Sequence, residues 1–149
     1  MNPQFISLFS GIGGLESSVS EPVACCEIDR ACWPVLRRRF PRAELFPDVT
    51  EFHPPHADVI TGGWPCQDIS VAGKQVGLAG TRSGLFFHLV RIAQEARSHT
   101  VVAENVPNVL SIDGGRVFHK VVQAFSDVGF RHIAWRTLNA RAFGLPHHR

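Results

Sequence analysis

Phe5-Ile6-Ser7-Leu8-Phe9-Ser10-Gly11-Ile12-Gly13-Gly14 sets how the rest of the chain is read. Phe5 to Phe9 is a short apolar run, the following glycines make a turn, and Leu15 to Val19 has the composition to begin a helix. Strand, glycine turn and helix in that order open an α/β unit. A glycine turn here also lets a ligand approach the backbone where a side chain would block it.

The pattern repeats downstream. Pro22 to Ile28 reads as a second buried strand, and Arg30 to Phe40 as an amphipathic helix interrupted near its start by Pro34 and stopped by Pro41. Val59-Ile60-Thr61 is a third strand, ending at Gly62-Gly63. Ser83 to Arg97 has helical periodicity, with Leu85, Phe86, Leu89, Val90, Ile92 and Ala93 on one broad apolar face. Thr100 to Ala103 follows as a strand, Gly115 to Val128 as a helix and His132 to Leu138 as another strand. Strands alternating with helices predict a parallel sheet with right-handed crossovers. Ligands of such sheets bind beyond the carboxyl ends of the strands. Ser10 to Gly14, Glu27, Asp48, Pro65-Cys66 and Glu104-Asn105 all follow strands or strand-like segments, so they are expected to converge there.

Bulk properties agree with one soluble domain. The chain has 149 residues, 44% of them hydrophobic and 19% charged, which excludes disorder and fibrous repeats. No apolar run approaches a membrane span, and the first residues lack a secretory signal, so a cytoplasmic location is expected. Cys25, Cys26, Cys32 and Cys66 form no C-x-x-C pair, which argues against a metal site and against a disulfide scaffold. A net charge of +2 permits a nucleic-acid partner without demanding one. Arg37-Arg38-Arg39 and Arg42 read first as a solvated helix end.

Several residues carry possible chemistry, each beside a plainer reading. The glycine turn departs from the dinucleotide fingerprint because its third glycine position is Glu16, which counts against an NAD- or FAD-dependent oxidoreductase. Glu27, ending the second strand, can accept both hydroxyls of a ribose, or be a solvated strand end. Cys66 sits in Gly62-Gly63-Trp64-Pro65-Cys66-Gln67. A buried structural thiol is the commoner role for cysteine, but flanking glycines and proline favour a fixed, exposed backbone and a nucleophile. Glu104 is either a helix N-terminal carboxylate or an acid/base group in the same pocket as Cys66.

Taken in order, Ser7 to Gly14, Glu27-Ile28-Asp29, Pro65-Cys66-Gln67, Thr81-Arg82-Ser83-Gly84-Leu85-Phe86, Glu104-Asn105-Val106 and Leu138-Asn139-Ala140 resemble the DNA cytosine-5 methyltransferase family. The resemblance implies a Rossmann-like sheet that binds S-adenosyl-L-methionine and acts on double-stranded DNA. It implies that Phe9, Gly11, Gly13 and Gly14 hold the cofactor. Glu27 would take its ribose, Ile28 its adenine face, Asp48 and Val49 the adenine edge, and Pro65 and Leu85 would line the same pocket. Cys66 would be the nucleophile that attacks a flipped cytosine, with Glu104 as its partner carboxyl. Ser70 to Ser83 resembles the loop that closes over the target base, with Gln67, Ser70 and Arg82 expected on DNA.

The family pattern is departed from in places. Ser7 stands where many relatives have Asp, and Trp64 where Pro or Phe is common. Pro146-His147-His148-Arg149 resembles the segment carrying the family's paired arginines, with Arg149 at the first of them and counted as a third catalytic residue. The second arginine, the next strand and the target-recognition domain lie outside the sequence. The isolated chain is therefore expected to be a truncated catalytic domain, weak or inactive alone. Two further readings stay open: a non-catalytic methyltransferase-like scaffold, or one subunit of a split enzyme whose second polypeptide supplies target recognition.

Overall fold

A computed structural model of the chain describes residues 3–16, 21–65 and 84–146. Five strands, β1 (Phe5–Leu8), β2 (Ala24–Cys26), β3 (Glu44–Phe46), β4 (Val59–Gly63) and β5 (Thr100–Glu104), pair in parallel in the order β3-β2-β1-β4-β5. Between and after them come the helices α1 (Trp33–Arg39), α2 (Gly84–Glu95) and α3 (Arg116–Asp127).

All four residues of β1 are buried, as a central strand covered on both faces requires. Ile6, Leu8 and Ile60 pack in one core with Phe86, Leu89 and Ile92 of α2 and Val121 and Phe125 of α3. On the opposite face Cys25 packs with Leu36 of α1 and Phe40. Of the face of α2 that the periodicity marks, Phe86, Leu89, Val90, Ile92 and Ala93 are buried and Leu85 is half-buried. Pro34 breaks nothing, because the chain makes a 3-10 turn at Arg30–Cys32, capped by Asp29, and α1 begins only at Trp33. In a first helical turn the N–H that proline lacks has no partner to lose.

The structure departs from the sequence reading at one strand that it adds and one that it lacks. Glu44–Phe46 is an edge strand that the sequence pattern does not announce, since three residues beginning with an exposed Glu44 give no periodic signal. His132 to Leu138 is not a strand: residues 131–139 carry no regular structure and most are exposed. Trp135 of this segment packs edge-on against Phe118 of α3 with ring centroids 5.0 Å apart. Leu15 and Glu16 lie in a turn, and the rest of the helix expected from Leu15 to Val19 falls on residues outside the described ones.

The strand registers place Phe46, Cys26, Leu8, Gly62 and Ala103 in one row across the sheet. Pro47, Glu27, Phe9, Gly63 and Glu104 are the next residues along each strand and form its carboxyl rim. After β3 the chain crosses back over β1 to start β4, so the topological switch point lies between β1 and β4, at Phe9 and Gly63.

Candidate active site

The turn after β1 is held by its backbone conformation and by Glu27. Phe9 has φ +53°, a left-handed conformation that costs a non-glycine residue about 1 kcal/mol or more. Gly11 and Gly13 follow with φ +52° and +79°. A β-carbon on Gly13 would stand 2.6 Å from the Phe40 ring, so this glycine also lets the turn settle on the end of α1. Gly14 has neither constraint. Glu27 accepts the Gly11 N–H on Oε2 at 2.7 Å and the Asp29 N–H on Oε1 at 2.8 Å. Each oxygen keeps a lone pair for a further donor. Behind it, Trp33 Nε1 donates to the Glu27 carbonyl at 2.9 Å while Arg30 stacks on the Trp33 ring.

Beyond this turn a cavity of about 280 Å³ is bounded by Phe9, Glu27, Ile28, Asp48, Val49, Pro65 and Leu85, at the low end of small-molecule sites. Ile28 is 77% exposed, an aliphatic plate standing free at the rim next to a carboxylate. Asp48 Oδ1 accepts both the Thr50 hydroxyl (2.7 Å) and the Thr50 N–H (2.8 Å), which hold its carboxyl below the usual range. The loop carrying Asp48 and Val49 is fastened from α2, where Arg91 donates to the carbonyls of Val49 (2.9 Å) and Phe52 (3.0 Å).

A second cleft of about 310 Å³ adjoins the first and shares Phe9 and Gly63 with it. Its other walls are Leu8, Ser10, Leu15, Glu16 and Glu104. Glu104 ends β5 opposite Gly63, and is exposed to the cleft. A β-carbon on Gly63 would lie 2.9 Å from Glu104 Oε2, so the missing side chain is the space the carboxylate occupies. Gly62 is equally constrained, with Leu8 O 3.2 Å and Leu89 Cδ1 3.1 Å from where its β-carbon would stand. Past Gly63, Trp64 is buried against Phe86 and leads to Pro65. Asn105 Nδ2 donates to the Trp64 carbonyl at 3.1 Å, tying the end of β4 to the end of β5. Cys66, Gln67, Ser70, Arg82 and Arg149 lie outside the described residues.

The described cysteines are poor nucleophiles. Burial pushes the thiols of Cys25 and Cys26 up to about 12, and burial also raises that of Cys32. Among the described residues no group of three or more His, Cys, Asp or Glu could hold a metal, and no helix is long and apolar enough to cross a membrane.

A family model, C-5 cytosine-specific DNA methylase, matches residues 3–149. The chain belongs to this family. It is 37% identical over 153 residues to the Type II methyltransferase M2.BsuMI of Bacillus subtilis (strain 168), covering 97% of this chain and 39% of that protein. To the Type II methyltransferase M.HhaI of Haemophilus parahaemolyticus it is 35% identical over 153 residues, covering 98% of this chain and 46% of that protein. The chain thus spans less than half the length of these curated relatives. Among solved structures, a protein assigned as a DNA modification methyltransferase encoded within a prophage (E. coli) superposes with TM-score 0.67 at 26% identity, covering 84% of this chain and 38% of that one. Spodoptera frugiperda DNMT2 superposes with TM-score 0.58 at 23% identity, covering 82% and 41%. These likenesses assign the chain a Rossmann-like fold.

Sequence reasoning missed two residues that position the site, Trp33 and Arg91, and sent Asn105 to the site without showing its task. Asn105 was legible only as a neighbour of Glu104, and Arg91 only as the polar edge of an amphipathic helix. Their partners are backbone carbonyls far away in sequence, which leave no trace in a local pattern.

Proposed function

We propose that this chain carries the cofactor-binding and nucleophile-bearing part of an enzyme that methylates C5 of cytosine in double-stranded DNA. The observation that carries the reading is the joining of two clefts at Phe9 and Gly63, one walled by Glu27, Ile28 and Asp48 and the other by Glu104. The first suits S-adenosyl-L-methionine: a carboxylate with spare lone pairs for a ribose diol, an exposed aliphatic face for a purine, and an acid fixed by Thr50 for the purine's edge. Bound there, the cofactor supplies an electrophilic methyl group on a sulfonium. Phe9, Pro65 and Leu85 shut water from its flanks, and the turn at Gly11 and Gly13 admits its aminoacyl end.

The protein's own chemistry is to make an unreactive ring carbon nucleophilic. Cytosine C5 gains electron density when a thiolate adds to C6, and Cys66 is the thiol in position by sequence, directly after Pro65 and shortly after Gly63, where β4 ends opposite Glu104. Cys25 and Cys26 are too buried and too basic for the task. A carboxyl at Glu104 would hydrogen-bond the base at N3 and its amine, placing charge stabilisation where the addition needs it. C5 would then bond to the methyl carbon as the methyl–sulfur bond breaks, leaving S-adenosylhomocysteine, and loss of the C5 proton with release of the Cys66 thiolate would restore the aromatic ring. The base must leave the helix to reach such a site. Gln67, Ser70 and Arg82 are proposed to meet DNA, and Arg149 to assist at the base.

DNA containing 5-fluorocytosine tests the reading, because fluorine cannot leave as the proton does. A covalent adduct that requires both Cys66 and S-adenosyl-L-methionine is expected. Its absence, even when a polypeptide carrying a target-recognition domain is added, would favour the non-catalytic scaffold. That second reading, and the separate one of a split-enzyme subunit, draw on the outer edge of β5, open among the described residues, and on Trp135, Leu138, Phe143 and Leu145, all exposed and suited to a further polypeptide. The setting proposed is the cytoplasm of a bacterium or of a phage-infected cell.

A further inference from the structure

Glu16 is 1% exposed, one of the most completely buried side chains described, yet it is an acid. It sits beneath the second cleft and forms part of its wall. The sheet explains half of its surroundings. Ser7 and Thr61 are register partners on β1 and β4, both buried. Their hydroxyls point to the same oxygen: Ser7 Oγ donates to Glu16 Oε1 at 2.9 Å and Thr61 Oγ1 at 2.8 Å, with Ser10 Oγ 2.7 Å from Ser7 Oγ. Oε1 is therefore satisfied. Oε2 is equally buried and has no hydrogen-bond partner among the described residues. No described Lys, Arg or His forms an ion pair with it.

A buried carboxylate with one oxygen unmatched is expensive unless something brings a donor and a positive charge. We infer that Glu16 Oε2 receives the α-ammonium of the cofactor's aminoacyl end, making Glu16 a cofactor-binding residue that fixes the methionine portion within the second cleft. This rests on the reading of S-adenosyl-L-methionine as the cofactor. Glu27 and Ile28 bound the nucleoside side of Phe9, and Glu16 lies on the other side, where a ligand extending past its ribose must go. An ammonium rather than the sulfonium is the match, because the vacant oxygen lacks a hydrogen-bond donor and only the ammonium has protons to give.

Calorimetric titration of the chain and its Glu16→Gln variant with three ligands tests this. S-adenosyl-L-methionine and S-adenosylhomocysteine carry the ammonium; 5′-methylthioadenosine lacks the aminoacyl end. The variant should bind the first two about tenfold more weakly or worse and methylthioadenosine within about twofold of the unaltered chain. Equal loss for all three would make Glu16 a structural residue and overturn the inference, as would no loss for any. Loss confined to S-adenosyl-L-methionine would assign the contact to the sulfonium and overturn it too. Failure of the unaltered chain to bind any of them would overturn the cofactor reading itself. Should the variant not fold, the desamino analogue of S-adenosylhomocysteine is titrated into the unaltered chain: about tenfold weaker binding is expected, and equal affinity refutes the ammonium contact.

Discussion

Glu104 Oε2 stands 2.9 Å from where a β-carbon of Gly63 would be, across a register pair that joins the ends of β4 and β5. The glycine therefore holds a place for a carboxylate. Gly63→Ala meets only the far end of a flexible, exposed side chain, so the fold accommodates it by moving the carboxylate. Expected are a melting temperature within a few degrees of the parent and a fall of about 100-fold in adduct formation with fluorocytosine DNA. A variant that melted normally and reacted at the parental rate would remove Glu104's placement from the account.

Glu27 offers the matching test on the cofactor side. Glu27→Gln retains an acceptor for one backbone N–H but loses the charge and one of two ribose acceptors. Affinity for S-adenosyl-L-methionine should fall about 10- to 100-fold in calorimetry. Because Gly11 N–H is held by Oε2, part of that loss will be a looser turn; a parallel loss for methylthioadenosine is expected, unlike the pattern for Glu16→Gln.

What could be read from the sequence followed from how local each signal was. Phe5 to Gly14 announced the first strand and its turn because apolar run and glycines are adjacent. Glu27, Asp48 and Glu104 could be sent to one rim because strands in a parallel sheet share direction. Glu44–Phe46 escaped notice because an edge strand of three residues has no pattern to show. His132 to Leu138 does not form the expected strand, and the contact of its Trp135 with Phe118 of α3 is one that no local pattern shows. Glu16 was legible as a failed glycine position, but not as a buried acid, since its hydroxyl partners Ser7 and Thr61 are 9 and 45 residues away.

Asn105 is predicted to position the loop that leads to Cys66. Asn105→Asp preserves an oxygen for the Val106 N–H but removes the donor to the Trp64 carbonyl, isolating one contact. Adduct formation should slow about tenfold while affinity for S-adenosyl-L-methionine changes by less than about twofold. An unchanged rate would show that β4 alone fixes the approach to Pro65.

The two glycines of the turn should separate cleanly. Gly13→Ala forces a β-carbon into Phe40 and strains a φ of +79°, and a destabilisation of about 2 kcal/mol in urea unfolding is expected, with weaker cofactor binding. Gly14→Ala meets open space at an ordinary φ, so a change within about 0.5 kcal/mol is expected. Equal effects would mean the turn tolerates rearrangement that its packing on α1 does not suggest.

Acid should weaken the fold in two windows. His88 on α2 has its pKa lowered, first by burial and then by Arg91, against the opposing pull of Asp48, and its Nδ1 is buried without a hydrogen-bond partner among the described residues. With a folded-state value below the unfolded one, the unfolded chain takes the proton first as pH falls through about 6.5. His88 thus contributes nothing to the pH dependence above that point and destabilises below it, until the folded form also protonates. Asp48 works lower: its carboxyl is held down by the Thr50 hydrogen bonds, so its contribution is fully present above an unfolded pKa of about 3.9 and is lost as pH falls through the folded value. Urea unfolding of His88→Gln should lose the slope that sets in as pH falls through about 6.5 and keep the steeper loss below about pH 4, while Asp48→Asn should soften only the second. A His88→Gln profile that parallels the parent through the upper window would place the titrating group elsewhere.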